Sequence, residues 1–246
     1  MYSTNARYLF LILRTKIVLA IFLLAGSNSL EAQKFRGNYN FLDYQQKAYY
    51  FGITLASNTS RFKPFRSREF LESENINIVE SLSGPGFNLG IVTNLKMGDY
   101  FDFRFLPTLS FAERNIEYSS RVDGAFLNQR RVESVFVEMP FHIRYKSAPF
   151  KDKRAFLIAG VKYSFDVASD SRAKNAESLV KIAPTDFSIE YGAGVQFFFP
   201  FFIFSPELKV SHGIGNTLIY NNRIEESTVL EKVLSRTFTI SLHFEG

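Results

Sequence analysis

Few residues in this chain can carry acid–base or nucleophilic chemistry. Among 246 residues there are three histidines and no cysteine. Without thiols there is no disulfide, no thiolate metal site and no cysteine nucleophile. His142 follows Glu138 by four residues, two same-face steps on an extended strand, so an imidazole and a carboxylate share one face. A general base of that kind needs a hydroxyl within hydrogen-bond reach before it can drive hydrolysis. None of His142, His212 and His243 stands in a nucleophile-elbow context. The expectation is a histidine held in a polar network, with no catalytic, cofactor-binding or metal-ligating residue assigned and no cofactor required.

Two glycine motifs invite a ligand and do not support one. The run SGPGFNLG (Ser83 to Gly90) leads into a strand rather than a helix, so it lacks the geometry of a phosphate-binding loop. In GAG (Gly192 to Gly194) the two glycines share one strand face, where they relieve crowding or let the sheet coil. Arg61, Lys63, Arg66 and Arg68 are followed by Glu69, Glu72, Glu74 and Glu80, and these charges cancel. The segment holding them reads as a solvated or partner-contacting loop without a directional field.

The elements that position these residues are strands. Apolar residues recur at every second position over residues 49–57, 86–96, 101–118, 131–147, 154–168, 186–199, 202–213 and 232–244. Phe101, Phe103, Phe105, Pro107, Leu109 and Phe111 share one face, whereas Asp102, Arg104, Thr108 and Ser110 share the other. Val135 to Tyr145 repeat this against Glu138, His142 and Arg144. Leu157 to Phe165 do so against Lys162 and Asp166, Ile189 to Phe197 against Glu190 and Gln196, and Phe204 to Val210 against Glu207 and Lys209. Connections alternate in length: 97–99, 148–153 and the turn at Pro200 are short, whereas 58–85, 119–130, 169–185 and 214–231 are long and polar. Short turns at one end and long loops at the other are how an outer-membrane β-barrel is written. The fold class is thus all-β, an antiparallel up-and-down transmembrane β-barrel of about eight strands, 49–246. Its 28 Phe and 12 Tyr suit a lipid-facing wall with aromatic girdles.

Residues 1–32 have a basic start (Arg7, Arg14, Lys16), an apolar core from Ile17 to Ala25 and a small-residue end at Ala32, the outline of a cleaved signal peptide. That core is too short for a spanning helix. Losing Arg7, Arg14, Lys16 and Glu31, a net +2, lowers the formal charge from +5 to +3, a weak basis for nucleic-acid binding. Residues 33–48 form a short periplasmic segment whose Phe35, Tyr39, Phe41, Leu42 and Tyr44 pack on the barrel rim or bind a partner. Phe244, near the end of the last strand, is the aromatic signal that barrel-assembly machinery reads, and membrane lipid is the expected neighbour of the outer wall.

The inward list is Arg104, Glu138, His142, Arg144, Lys162, Asp166, Glu190, Glu207 and Lys209. Its signs balance. An eight-stranded barrel is only wide enough for side chains to fill it, so these charges must pair across the lumen. The expectation is a polar plug that closes the barrel, against the alternative of an active site or proton path. An open solute channel needs more strands.

The segments NFLDYQQKAYYFGITL (Asn40 to Leu55), SGPGFNLGIVTNLKMGDYFDFRFLPTLSFAERNIEY (Ser83 to Tyr118) and VESVFVEMPFHIRYKS (Val132 to Ser147) resemble the PorT/SprT family of outer-membrane barrels. The most specific part is Phe101 to Arg114. This resemblance implies a non-enzymatic component of the type IX secretion system and gliding motility, with other secretion components as partners. It carries over no catalytic or ligand residue. A small barrel enzyme acting on lipid or envelope peptide, and an envelope-stabilising or adhesin-type barrel, are the competing readings.

Overall fold

The computed structural model describes residues 39–72, 76–120, 126–167, 181–221 and 225–246. The expected signal peptide, 1–32, lies outside them, as do Phe35 and most of the connection 169–185. The strands are β1 (Tyr49–Arg66), β2 (Ile76–Lys96), β3 (Phe101–Phe105), β4 (Thr108–Ser120), β5 (Phe126–Lys146), β6 (Lys153–Asp166), β7 (Lys181–Ile182), β8 (Thr185–Phe198), β9 (Ile203–Gly213), β10 (Leu218–Ile219) and β11 (Leu230–Glu245). A helix, α1 (Tyr39–Gln45), precedes β1.

β1 pairs with β2 on one side and β11 on the other, which closes the sheet on itself. Around the ring the order is β1, β2, β3 with β4, β5, β6, β8, β9 and β11, each neighbour antiparallel. β3 and β4 are one strand interrupted at Leu106 and Pro107. Proline has no N–H to give the ladder. Its carbonyl still accepts from Ile91 N at 3.0 Å, and Leu106 N donates to Pro140 O at 3.2 Å, so both neighbours stay attached. The barrel therefore has eight strands in up-and-down order, as the alternation predicts.

Burial alternates with the pleat. Along β6, Arg154, Phe156, Ile158, Lys162 and Ser164 are buried while Leu157, Val161 and Tyr163 are exposed. Exposure of the apolar set is the expected state of a wall facing lipid. Two expected loops are shorter than the sequence suggests. The connection read as 58–85 is mostly strand, because β1 runs on to Arg66 and β2 begins at Ile76. Likewise β5 begins at Phe126, inside the expected loop 119–130. Outward residues here become polar, as Thr59, Arg61 and Lys63 do, which hides the hydropathy signal. The backbone ladder continues regardless, Thr59 pairing with Phe238 and Phe65 with Lys232. The charges of that expected loop thus stand partly on strands, with Arg61 and Lys63 exposed on β1.

The short turns gather at one end. Between β5 and β6, Lys151 (φ 47°) and Asp152 (φ 54°) form a two-residue turn of the type that suits the right-handed twist of a hairpin. Asp152 also holds α1: its Oδ1 accepts from the backbone N–H groups of Asn40 and Phe41, both at 3.1 Å, and so satisfies two donors at the helix start. Phe41 and Tyr44 then pack with Tyr50, Phe198 and Ile203 across this mouth. Leu42 points away and is 56% exposed. The opposite mouth has its own apolar cluster of Phe62, Leu218, Val229, Leu230 and Val233. It is tied down by Asn216, whose Oδ1 accepts from Leu218 N and Val233 N, both at 3.0 Å.

Inside the wall, Gly194 makes room for Phe156. A Cβ at Gly194 would overlap the Phe156 ring and stand 2.5 Å from Pro206 O. We therefore expect Gly194→Ala to lower stability by about 1–3 kcal/mol through overpacking. Urea unfolding of the barrel in micelles measures it, and an unchanged midpoint would contradict this packing.

Candidate functional site

The polar interior is built by the parity of the strands and divides into two linked groups. Near the short-turn end, the register sets Asp102 opposite Arg144 and Arg104 opposite His142 on β3 and β5. Arg104 donates from Nη1 to Glu207 Oε2 at 3.1 Å and from Nη2 to Glu245 Oε1 at 2.6 Å. In the ring of eight, β3 and β9 are four strands apart, so the Arg104–Glu207 bond spans the full diameter. Arg144 donates to Tyr50 Oη and Asn94 Oδ1, both at 2.6 Å, and is paired with Asp102 Oδ2 at 3.2 Å. Its guanidinium lies 4.9 Å from the centre of the Phe156 ring. Lys146 donates to Asp102, and His243 Nε2 is 3.5 Å from Glu207 Oε2.

The second group centres on Glu190. His142 Nε2 lies 2.7 Å from Glu190 Oε2, Lys162 and Lys209 lie 3.4 Å from its two oxygens, and Ser211 donates to it. Lys162 also reaches Glu138 at 2.9 Å. Beyond them an Asn58–Asn88–Ser110 cluster and an Asp186–Ser235 bond fill the lumen toward the long-loop end.

All nine inward residues named from parity are buried: Arg104, His142, Arg144 and Glu190 fully, Glu138, Lys162, Asp166, Glu207 and Lys209 to within a tenth. The structure does not pair His142 with Glu138 as the sequence spacing suggests. Two same-face steps along one strand are about 13 Å, too far for a direct contact. Instead Gly160 on β6 stands opposite both His142 and Glu190. A Cβ there would come within 2.8 Å of His142 Cδ2, so its absence lets the ring reach over β6 to β8. Sequence reasoning placed Asp102 on the inward face but left it out of the charge list, and it missed Lys146, His243 and Glu245 as network members. The signal was present for each, since all follow the inward parity of their strands.

Among the described residues, six buried cations face seven buried carboxylates, with His142 and His243 between them. That near balance is what lets ionised groups survive out of water, where removing a single partner strands a charge. The arrangement does not make a hydrolytic triad. Glu190 lies between Ser211 and His142, so the imidazole cannot take the serine proton. His212 stands on the outer face, stacked on Tyr191 with its Nε2 2.9 Å from the phenol oxygen. No group of three or more His, Asp and Glu among the described residues is placed to hold a metal.

A closed ring of eight antiparallel strands, apolar outside and charged inside, defines a small outer-membrane β-barrel. The same class appears in comparison with known proteins. The chain belongs to the family described as outer membrane protein beta-barrel domain, which it matches over residues 31–218, and it is accordingly an outer-membrane protein. Among solved structures, OprG of Pseudomonas aeruginosa is similar over 80% of this chain and 95% of its own, at 9% identity and a TM-score of 0.46. Neisserial surface protein A is similar over 80% and 97%, at 11% identity and 0.42. Ail, the attachment invasion locus protein of Yersinia pestis, in complex with the heparin analogue sucrose octasulfate, is similar over 81% and 100%, at 14% identity and 0.34. At these values the likeness says nothing of what this chain binds or does. No curated protein matches it in sequence.

Glu190→Gln keeps the shape of the side chain and removes the charge that holds Lys209 and His142. We expect it to destabilise the barrel by about 3–5 kcal/mol. A paired change, Glu190→Leu with Lys209→Met, is expected to cost less than the sum of its parts. Urea titration followed by heat-modifiable migration measures both, and additive losses would contradict the pairing.

Proposed function

We propose that this outer-membrane barrel is a non-enzymatic component of type IX protein secretion, serving gliding motility where that is present, and that it works beside a larger conduit. The observation that carries the reading is the filled lumen: Arg104 bridges β3 to β9 and β11, and apolar clusters cover both mouths. A folded cargo cannot pass such a barrel. The secretion system itself rests on the resemblance carried by Phe101 to Arg114 and its flanking segments.

The non-enzymatic reading is supported by the burial of His142 and by a carboxylate, rather than a hydroxyl, at its Nε2. Function then belongs to the outer surfaces. At the short-turn end, which faces the periplasm in barrels of this kind, Leu42 of α1, Met97, Phe150 and Phe201 are exposed. They form a rim suited to other secretion components, while barrel-assembly machinery reads the terminal strand during biogenesis.

Deleting the gene is expected to abolish surface export of cargo bearing a type IX signal, and re-expression of the chain to restore it. Normal export in the deletion strain would overturn the secretion reading and leave the barrel standing.

A further inference from the structure

On the outer face of β1 and β11 the ladder sets Arg61 directly opposite Arg236, and Arg236 directly opposite His212 of β9. Like charges in directly opposed positions destabilise a sheet. Two more cations join them. Lys63 and Lys232 both lie over the ring of Phe65, at 5.1 and 4.5 Å from its centre. Arg61, Lys63 and Arg236 are exposed, and among the described residues none of the four cations forms an ion pair. Arg61, Lys63 and Arg236 line a depression of about 350 Å³ together with Phe62, Pro64, Ser81 and one carboxylate, Glu80. The positive excess is three to one within the lining.

The position of the cluster selects its ligand. Outward residues of β11 are apolar from Leu242 to Phe238, and beyond them Arg236 and Lys232 are cationic with Leu234 between them. On β9, Leu208 precedes His212 in the same way, and β1 passes from Leu55 through Ser57 and Thr59 to Arg61. The cations thus stand where the lipid-facing wall ends on the long-loop side, at headgroup height. Guanidinium forks match phosphate oxygens in pairs, and a phosphate between Arg61 and Arg236 converts their repulsion into two charge-assisted contacts. We propose that Arg61, Lys63 and Arg236, with Lys232 at the edge beside Phe65, form a lateral binding site for the net-anionic, phosphate-bearing headgroup of a lipid in the external leaflet. The acyl chains of that lipid lie along the apolar wall below, over Phe238 and Leu55.

The test uses the whole barrel in neutral maltoside micelles, titrated calorimetrically with dihexanoyl phosphatidic acid, dihexanoyl phosphatidylcholine and inorganic phosphate. The wild type is expected to bind the phosphatidic acid about tenfold more tightly than either other probe. Arg61→Gln with Arg236→Gln is expected to lose about tenfold in phosphatidic acid affinity. The double variant is expected to melt no lower than the wild type without anionic lipid, since a like-charge pair is gone, and heat-modifiable migration reports its folding. Where it does not fold, Arg61→Gln alone is expected to lose about threefold. Unchanged phosphatidic acid binding in a folded variant would overturn the site. Equal binding of phosphatidylcholine would overturn its dependence on an anionic headgroup, and equal binding of inorganic phosphate would make it a free-anion site rather than a lipid site.

Discussion

Arg104 leaves β3, crosses the lumen and is held by Glu207 of β9 and Glu245 of β11, with no solvent exposure at any of the three. This diametric ion pair imposes the constraint from which the rest of the interior follows. An ionised group in a barrel this narrow has no bulk water beside it, so charges are compensated by opposite charges or by hydrogen-bonding groups arriving from other strands. Arg144, on the strand facing β11 across the ring, obeys the same rule with Asp102 and Glu245. Glu190 does so with three cationic or imidazole partners. Register and charge placement are therefore one problem. A strand that slipped by one residue would send its inward charges into lipid and its phenylalanines into the polar lumen.

The two mouths complete the enclosure. At the short-turn end, α1 lays Phe41 and Tyr44 across the opening and is held by Asp152, a residue of the turn it covers. At the other end, Phe62 and its apolar neighbours lie above the polar column. A polar interior between two apolar covers is a structural core turned inside out. It moves the surfaces available for function to the wall and the rims, where the exposed aromatics and the Arg61–Arg236 row stand.

Much of this was legible in the sequence because a barrel strand has a two-residue period and a single inside. Parity alone placed Arg104, His142, Glu190 and Glu207 in the lumen, since one misassigned side would put a charge in hydrocarbon. Partnership was not legible. His142 meets Glu190 only because Gly160, on a third strand, leaves space between them, and no local spacing encodes a register across three strands. Strand ends were also hidden. β1 and β2 continue past the apolar zone, where outward residues become polar and the alternation fades although pairing continues. Glu245 escaped notice because it follows the last aromatic residue, at the point where the pattern stops.

The most direct test of a sealed, charge-compensated lumen is ionic conductance of the purified barrel reconstituted in a planar bilayer. The structure predicts membranes that hold the protein and pass no sustained current, because Arg104, Arg144 and Glu190 fill the lumen and, among the described residues, apolar clusters lie at both ends. A stable open channel of constant conductance would contradict it.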